Sequence, residues 1–154
     1  MQNDVSIVNF VMKEEDVEGI MRHPHVMVST DGYAFAPQGL LSSGKPHPRS
    51  YGTYPRILAT YVREKAVLRM EEAIRKMTSL PAQKIGLKNR GTIAKGMQAD
   101  IVVFDRSTIR DLATFEDPHR FPEGIKHVIV NGQLVVVDGK QTDAMPGTVL
   151  RRSP

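Results

Sequence analysis

Residues His25–Gly32 read HVMVSTDG, an apolar, β-rich run that stops abruptly at an aspartate followed by a glycine. A strand apolar on both faces belongs in a parallel sheet covered by helices. Before it, His23-Pro24 halts the preceding element, because proline cannot extend a helical ladder and disfavours helical backbone just ahead of it. That element is Lys13–Arg22 (KEEDVEGIMR). Glu14, Glu15 and Asp16 sit in its first turn, where carboxylates suit the positive end of a helix dipole, and Val17, Ile20 and Met21 recur at helical spacing. Earlier still, Asp4–Met12 (DVSIVNFVM) is another β-rich apolar run. Strand, helix, strand in quick succession predicts a βαβ unit with two parallel strands.

Onward from Asp31-Gly32, residues 33–53 are rich in Gly and Pro and predict a long irregular loop, and loops of that length inside compact domains are usually functional. Pro55 is expected to open a helix with Ile57, Leu58, Tyr61 and Val62 as its apolar stripe. A second helix is predicted over Arg69–Met77, and a short third one from Pro81 to a Gly86 cap. From Arg90 the character changes. Gly91 and Gly96 punctuate an expected short strand pair, Ala99–Phe104 (ADIVVF) reads as a strand, and 107–124 reads as an excursion. His127–Val137 is two β-branched runs joined by Asn131-Gly132, the strongest two-residue signal for a type I′ hairpin, and Asp138-Gly139 turns the chain again. Residues 1–89 are thus read as a βαβ-plus-helices unit and 90–154 as a small β unit, an α/β architecture.

Composition narrows the function. The chain has 154 residues, 40% hydrophobic and 25% charged. No run reaches the about 18 apolar residues of a membrane span, which predicts no membrane partner. A complete (β/α)8 barrel needs about 200–250 residues or more, so this length cannot hold one. The absence of cysteine excludes disulfides and thiolate metal sites. With no basic-then-apolar leader at MQNDVSIVNF, it points to the cytoplasm. Lys and Arg outnumber Asp and Glu by 21 to 17. The excess lies in residues 54–95, where Glu71–Arg75 and Glu72–Lys76 interleave at i,i+4 as solvated helix faces do. No zinc finger, aromatic RNA-binding pattern or helix-turn-helix accompanies it, so nucleic acid is not expected as a partner.

Asp31 is the residue most suited to chemistry. A carboxylate at the C-terminal tip of a parallel strand sits where α/β folds place catalysis, and it suits proton transfer or metal binding, although Asp-Gly also ends strands as an ordinary turn. His47 and Arg49, in Pro46-His47-Pro48-Arg49, follow in the long loop, and Arg49 suits a carboxylate partner, with loop anchoring as the alternative for both. His23 and His25 flank Pro24 at the opposite end of the strand and read as structural or exposed, while His119 and His127 stand without company. Zinc takes at least three protein ligands, and no second or third partner for Asp31 is evident.

Several stretches together resemble the C-terminal third of the N-acyl-D-amino-acid deacylases (D-aminoacylases) of the amidohydrolase superfamily. They are Met12-Lys-Glu-Glu-Asp-Val, His23-Pro24, Ser29-Thr30-Asp31-Gly32, the run His47-Pro48-Arg49-x-Tyr51-Gly52-Thr53-Tyr54-Pro55-Arg56, Met77-Thr78-Ser79-Leu80-Pro81-Ala82, Gly91–Asp105 and Val130-Asn131-Gly132. The resemblance implies the last strands and helices of a metal-dependent (β/α)8 barrel over 1–89 and part of a small β-sandwich domain over 90–154. It implies hydrolysis of the amide bond of N-acyl-D-amino acids with zinc. Asp31 would be the catalytic carboxylate at the metal, and Met12 would line the substrate pocket, beside which His47 and Arg49 are the substrate-binding candidates that their loop position suggests. The family's early H-x-H, bridging thiolate and later histidines have no counterpart here, and Thr30 stands where serine is common. The chain is therefore expected to be a fragment inactive alone, partnered by an N-terminal half of the same enzyme or by self-association. The alternatives are a fragment acting on cyclic amides, as dihydroorotase- or hydantoinase-like enzymes do, and a non-catalytic module docking on a separate N-terminal half.

Overall fold

The computed structural model describes residue 7 and residues 9–151. Helix α1 spans Glu14–Arg22. The Lys13 carbonyl accepts the first helical bonds from the amides of Asp16 (3.2 Å) and Val17 (3.3 Å). His23 leaves the helix with an extended backbone (φ −68°, ψ 126°), the conformation that a following proline demands.

Helix α2 spans Arg49–Arg56, with Pro48 as its N-cap (φ −50°). The helix therefore starts earlier than proline placement suggests: Pro48 primes its entry and Pro55 lies inside it. Pro55 has no N–H to give, and beyond it the chain continues as a π-helical stretch over Ile57–Glu64, closing with Lys65 N–H on the Thr60 carbonyl at 2.8 Å. The expected stripe is in place: Ile57, Leu58, Tyr61 and Val62 are all buried. They form the core with Leu68, Ala73 and Ile109, and each large side chain removed from water contributes about 1.5–3 kcal/mol. Helices α3 (Met70–Met77) and α4 (Ser79–Ile85) follow, the second ending at Gly86 in the left-handed region (φ 82°).

The second half is a four-stranded antiparallel sheet in the order β1 (Ile101–Phe104), β2 (Ile125–Val130), β3 (Gln133–Val137), β4 (Lys140–Gln141). The β2–β3 turn is the hairpin that Asn131-Gly132 predicts, with φ of 48° and 81° at the two positions, and Asp138-Gly139 (48° and 74°) turns β3 into β4. The hairpin tip is locked onto the start of β1. Asn131 N–H donates to Asp100 Oδ1 at 2.8 Å, Arg90 pairs with the same carboxylate, and Gly132 N–H donates to the Ala99 carbonyl at 3.0 Å. The excursion between β1 and β2 is pinned by a bridge between Arg110 and Glu123 and buries Ile109 under the helices.

Two further expectations differ. Residues 91–96 form turns rather than a strand pair; Gly91 (φ 89°) lies so close to Ala82 that a Cβ there would stand 2.6 Å from the Ala82 Cβ. The parallel βαβ unit is also absent among the described residues. Residues 9–12 and 25–30 carry no strand, while residues 4–6 and 8 of the first run lie outside the described residues. A strand exists only with a neighbour to share its ladder, and among the described residues these two runs reach another element through a single backbone bond, Val28 N–H to the Lys76 carbonyl at 3.2 Å. The fold is mixed helix and strand with an open sheet, and no helix among the described residues is long and apolar enough to cross a membrane.

Candidate functional site

Thr30 anchors the segment that carries Asp31. Its hydroxyl bonds the Arg49 carbonyl and the Thr53 hydroxyl, both at 2.9 Å, which sets residues 30–32 against the first turn of α2. Gly32 is required by that approach, since a Cβ there would lie 2.9 Å from the Ser50 Cα. Asp31 itself has a left-handed backbone (φ 48°), one of the few non-glycine types that tolerates it. Its side chain is turned outward, 81% exposed, and its Oδ2 meets Arg49 Nη2 at 2.6 Å.

Asp31, His47 and Arg49 line one cleft of about 650 Å³, together with Tyr33, Phe35 and Lys45. His47 Nδ1 accepts the Arg49 N–H at 3.1 Å, and its ring meets Phe115 edge-on at 5.0 Å. Burial, and then the neighbouring Arg49 charge, push the His47 imidazole below its ordinary value and keep it a neutral acceptor. Met12 is elsewhere. It is 63% exposed and lines a second groove with Val17, Met21, Val26, Ile57 and Lys76.

The excursion supplies residues that their sequence positions do not announce. His119 Nε2 donates to the Gly44 carbonyl at 3.0 Å, so in the neutral ring Nδ1 accepts the Tyr51 hydroxyl at 2.9 Å. Phe35 and Tyr51 meet the same ring edge-on, and His119 thereby fixes the loop that floors the cleft. Nothing near His119 in sequence signals a contact 75 residues away. His23 and His25 are exposed side by side, away from the cleft.

The residues described here do not by themselves fit a zinc site. Zinc takes three or more protein ligands, and among the described residues no group of three His, Cys, Asp or Glu is placed to hold an ion. Asp31 stands as a single carboxylate already engaged by a guanidinium.

The profile of the amidohydrolase family matches residues 13–136. The chain belongs to that family. It is 42% identical over 145 residues to the N-acyl-D-glutamate deacylase of Alcaligenes xylosoxydans xylosoxydans, which covers 94% of the chain and 28% of the relative. It superposes on a solved D-aminoacylase with a binuclear metal centre at a TM-score of 0.79 and 41% identity, over 88% of this chain and 27% of that one. It also superposes on the N-acyl-D-glutamate deacylase of Bordetella bronchiseptica, solved with zinc and a phosphonate mimic of the tetrahedral intermediate, at a TM-score of 0.74 and 41% identity, over 82% and 25% of the two chains. The chain thus spans under a third of the length of each of these amidohydrolase relatives.

Proposed function

We propose that this amidohydrolase chain supplies the Asp31–Arg49 cleft to an enzyme that hydrolyses the amide bond of N-acyl-D-amino acids, giving a carboxylate and a free D-amino acid. The observation that carries this reading is the 2.6 Å Asp31–Arg49 pair in a cleft shared with His47. An N-acyl amino acid brings a carboxylate of its own. Arg49 turns from Asp31 to that group, which orients the substrate by a charge-assisted fork and frees the Asp31 carboxylate. Water adds to the amide carbonyl carbon while Asp31 takes its proton; the C–N bond then breaks as Asp31 returns the proton to the leaving nitrogen. His47, held neutral, steers the Arg49 main chain. Zinc, bound in the relative, would need ligands besides the Asp31 carboxylate, and among the described residues no group of three is placed to hold it.

The partner in this reading is the upstream remainder of such an enzyme, contributing the rest of a barrel to residues 1–89 and of a β domain to 90–154. Exposed Ile7, Phe10, Val11 and Met12, which carry no strand ladder among the described residues, support this: an apolar run left at the surface seeks a neighbour. The cysteine-free composition suits a cytoplasmic setting. The test is reconstitution. The chain is co-expressed with the part of a D-aminoacylase relative that it does not match, and the product is assayed with zinc on N-acetyl-D-methionine, N-acetyl-D-glutamate and dihydroorotate. Turnover of the linear N-acyl substrates, absent from either part alone, is expected. Turnover of dihydroorotate in their place would overturn the proposal, as would no turnover from a stably assembled pair.

A further inference from the structure

We infer that Lys76 is a positioning residue for Asp31, acting through the backbone of residues 23–28. A charged residue at full burial needs an explanation, and Lys76 is 1% exposed. A buried ammonium is tolerated only when its donors are satisfied, and a methionine would otherwise fill that space at less cost. Its Nζ donates to the His23 carbonyl at 2.5 Å and the Val26 carbonyl at 2.8 Å, with the Glu72 carboxylate 3.7 Å away as an ion-pair partner. The Lys76 carbonyl in turn accepts Val28 N–H at 3.2 Å. Next to it, Arg75 forks onto Glu72 with two bonds of 2.8 Å and extends Nη2 to the Pro24 carbonyl at 2.7 Å.

The last turn of α3 therefore holds three carbonyls and one amide of a segment that has no strand ladder. Both cations also sit at the helix end where the dipole favours positive charge. Three residues past Val28 comes Asp31, and Thr30, just before it, is held against the Arg49 carbonyl. Asp31 follows both anchors in the chain, one residue past Thr30 and three past Val28. Its side chain is exposed and turned to Arg49, so where it projects follows from the backbone of residues 23–30, whose first part Lys76 holds. Misplacement of about 1 Å at a reacting group costs about a hundred-fold in rate, so this anchor bears on chemistry at a distance.

The catalytic meaning of this placement rests on the role of Asp31 proposed above, whereas the placement itself is read without any turnover. In the isotopically labelled full chain, Lys76→Met is expected to accelerate amide exchange at Val28 about ten-fold or more and to move the Asp31 and Gly32 amide resonances. The β2–β3 amides should stay unchanged, and Lys76→Arg should restore the Val28 amide in large part. Equal acceleration across the sheet, or residues 26–32 unmoved, would overturn the inference. Should Lys76→Met not fold, Arg75→Gln, which removes the bond to Pro24 together with the fork onto Glu72, should produce the same localised pattern at smaller amplitude, and its absence would overturn the inference equally. In the reconstituted enzyme, Lys76→Met is expected to lower kcat about ten-fold or more with KM within about three-fold. If kcat holds while Asp31→Asn abolishes turnover, the positioning role falls; if Asp31→Asn leaves turnover intact, the function reading falls and the anchor stands.

Discussion

Replacing Arg49 by methionine separates binding from stability in this site. The Arg49 carbonyl receives the Thr30 and Thr53 hydroxyls, and its amide bonds His47; none of these uses the side chain. What the side chain does make is an exposed ion pair, 41% and 81% exposed at the two partners, and such pairs are worth about 0–1 kcal/mol. Methionine is also a good helix former in the first turn of α2. Urea unfolding of the chain should therefore shift by less than about 1 kcal/mol. Substrate binding should suffer far more. A hydrogen bond to a charged group is worth about 1.5–3 kcal/mol, which converts to a rise in KM of about ten- to a hundred-fold in the reconstituted enzyme. The same variant removes the Arg49 charge from beside His47, so the His47 imidazole, followed by NMR, should titrate higher than in the parent chain while burial still holds it below its ordinary value. A stability loss above about 2 kcal/mol would show that Arg49 is structural, and an unchanged KM would remove it from carboxylate recognition.

Gly124 has φ 83° and passes so close to the excursion that a Cβ would stand 2.5 Å from both the Cα and the N of buried Ile109. Backbone atoms cannot swing aside, so Gly124→Ala should cost about 3 kcal/mol or more in thermal unfolding, and a near-neutral result would contradict the close approach. Lys65 joins Glu14 at 2.6 Å and Glu18 at 3.0 Å, and its hydrogen bonds hold both carboxyls below their ordinary values. A lowered folded value means stability that is present above the unfolded carboxyl range and lost as pH falls through the folded one. The Tm difference between the parent chain and Lys65→Met should therefore be present near neutrality and vanish in acid. A difference that survived in acid would assign the effect to packing.

Features set by local chemistry were legible in the sequence. Asn131-Gly132 demands positive φ at two consecutive positions, and only a tight hairpin accommodates that; α1 is bounded by its own first-turn carboxylates and by Pro24. The run ending at Asp31 shows the limit. Its apolar residues state a wish to be buried in a sheet, yet a ladder needs a second chain segment, and none of the described residues provides it. Lys76 illustrates a different failure. Its i,i+4 spacing from Glu72 suggests a solvated pair, but it also follows Ala73 by one turn, on the flank of the apolar stripe, and only the fold reveals that main-chain carbonyls wait there. Of the site, Asp31, His47 and Arg49 stand out in the sequence and share a cleft, although no strand leads to Asp31 among the described residues and Arg49 opens α2 instead of lying in a loop. His119 was not readable, because its partners come from a loop distant in sequence.

The most direct test of the central claim is the turnover of N-acetyl-D-methionine by the reconstituted amidohydrolase carrying Asp31→Asn, with zinc content and assembly measured on the same sample. If Asp31 moves the proton, turnover falls by about a hundred- to ten-thousand-fold while the assembled enzyme forms as before. Turnover within a few-fold of the parent enzyme would show that the chemistry belongs to another residue.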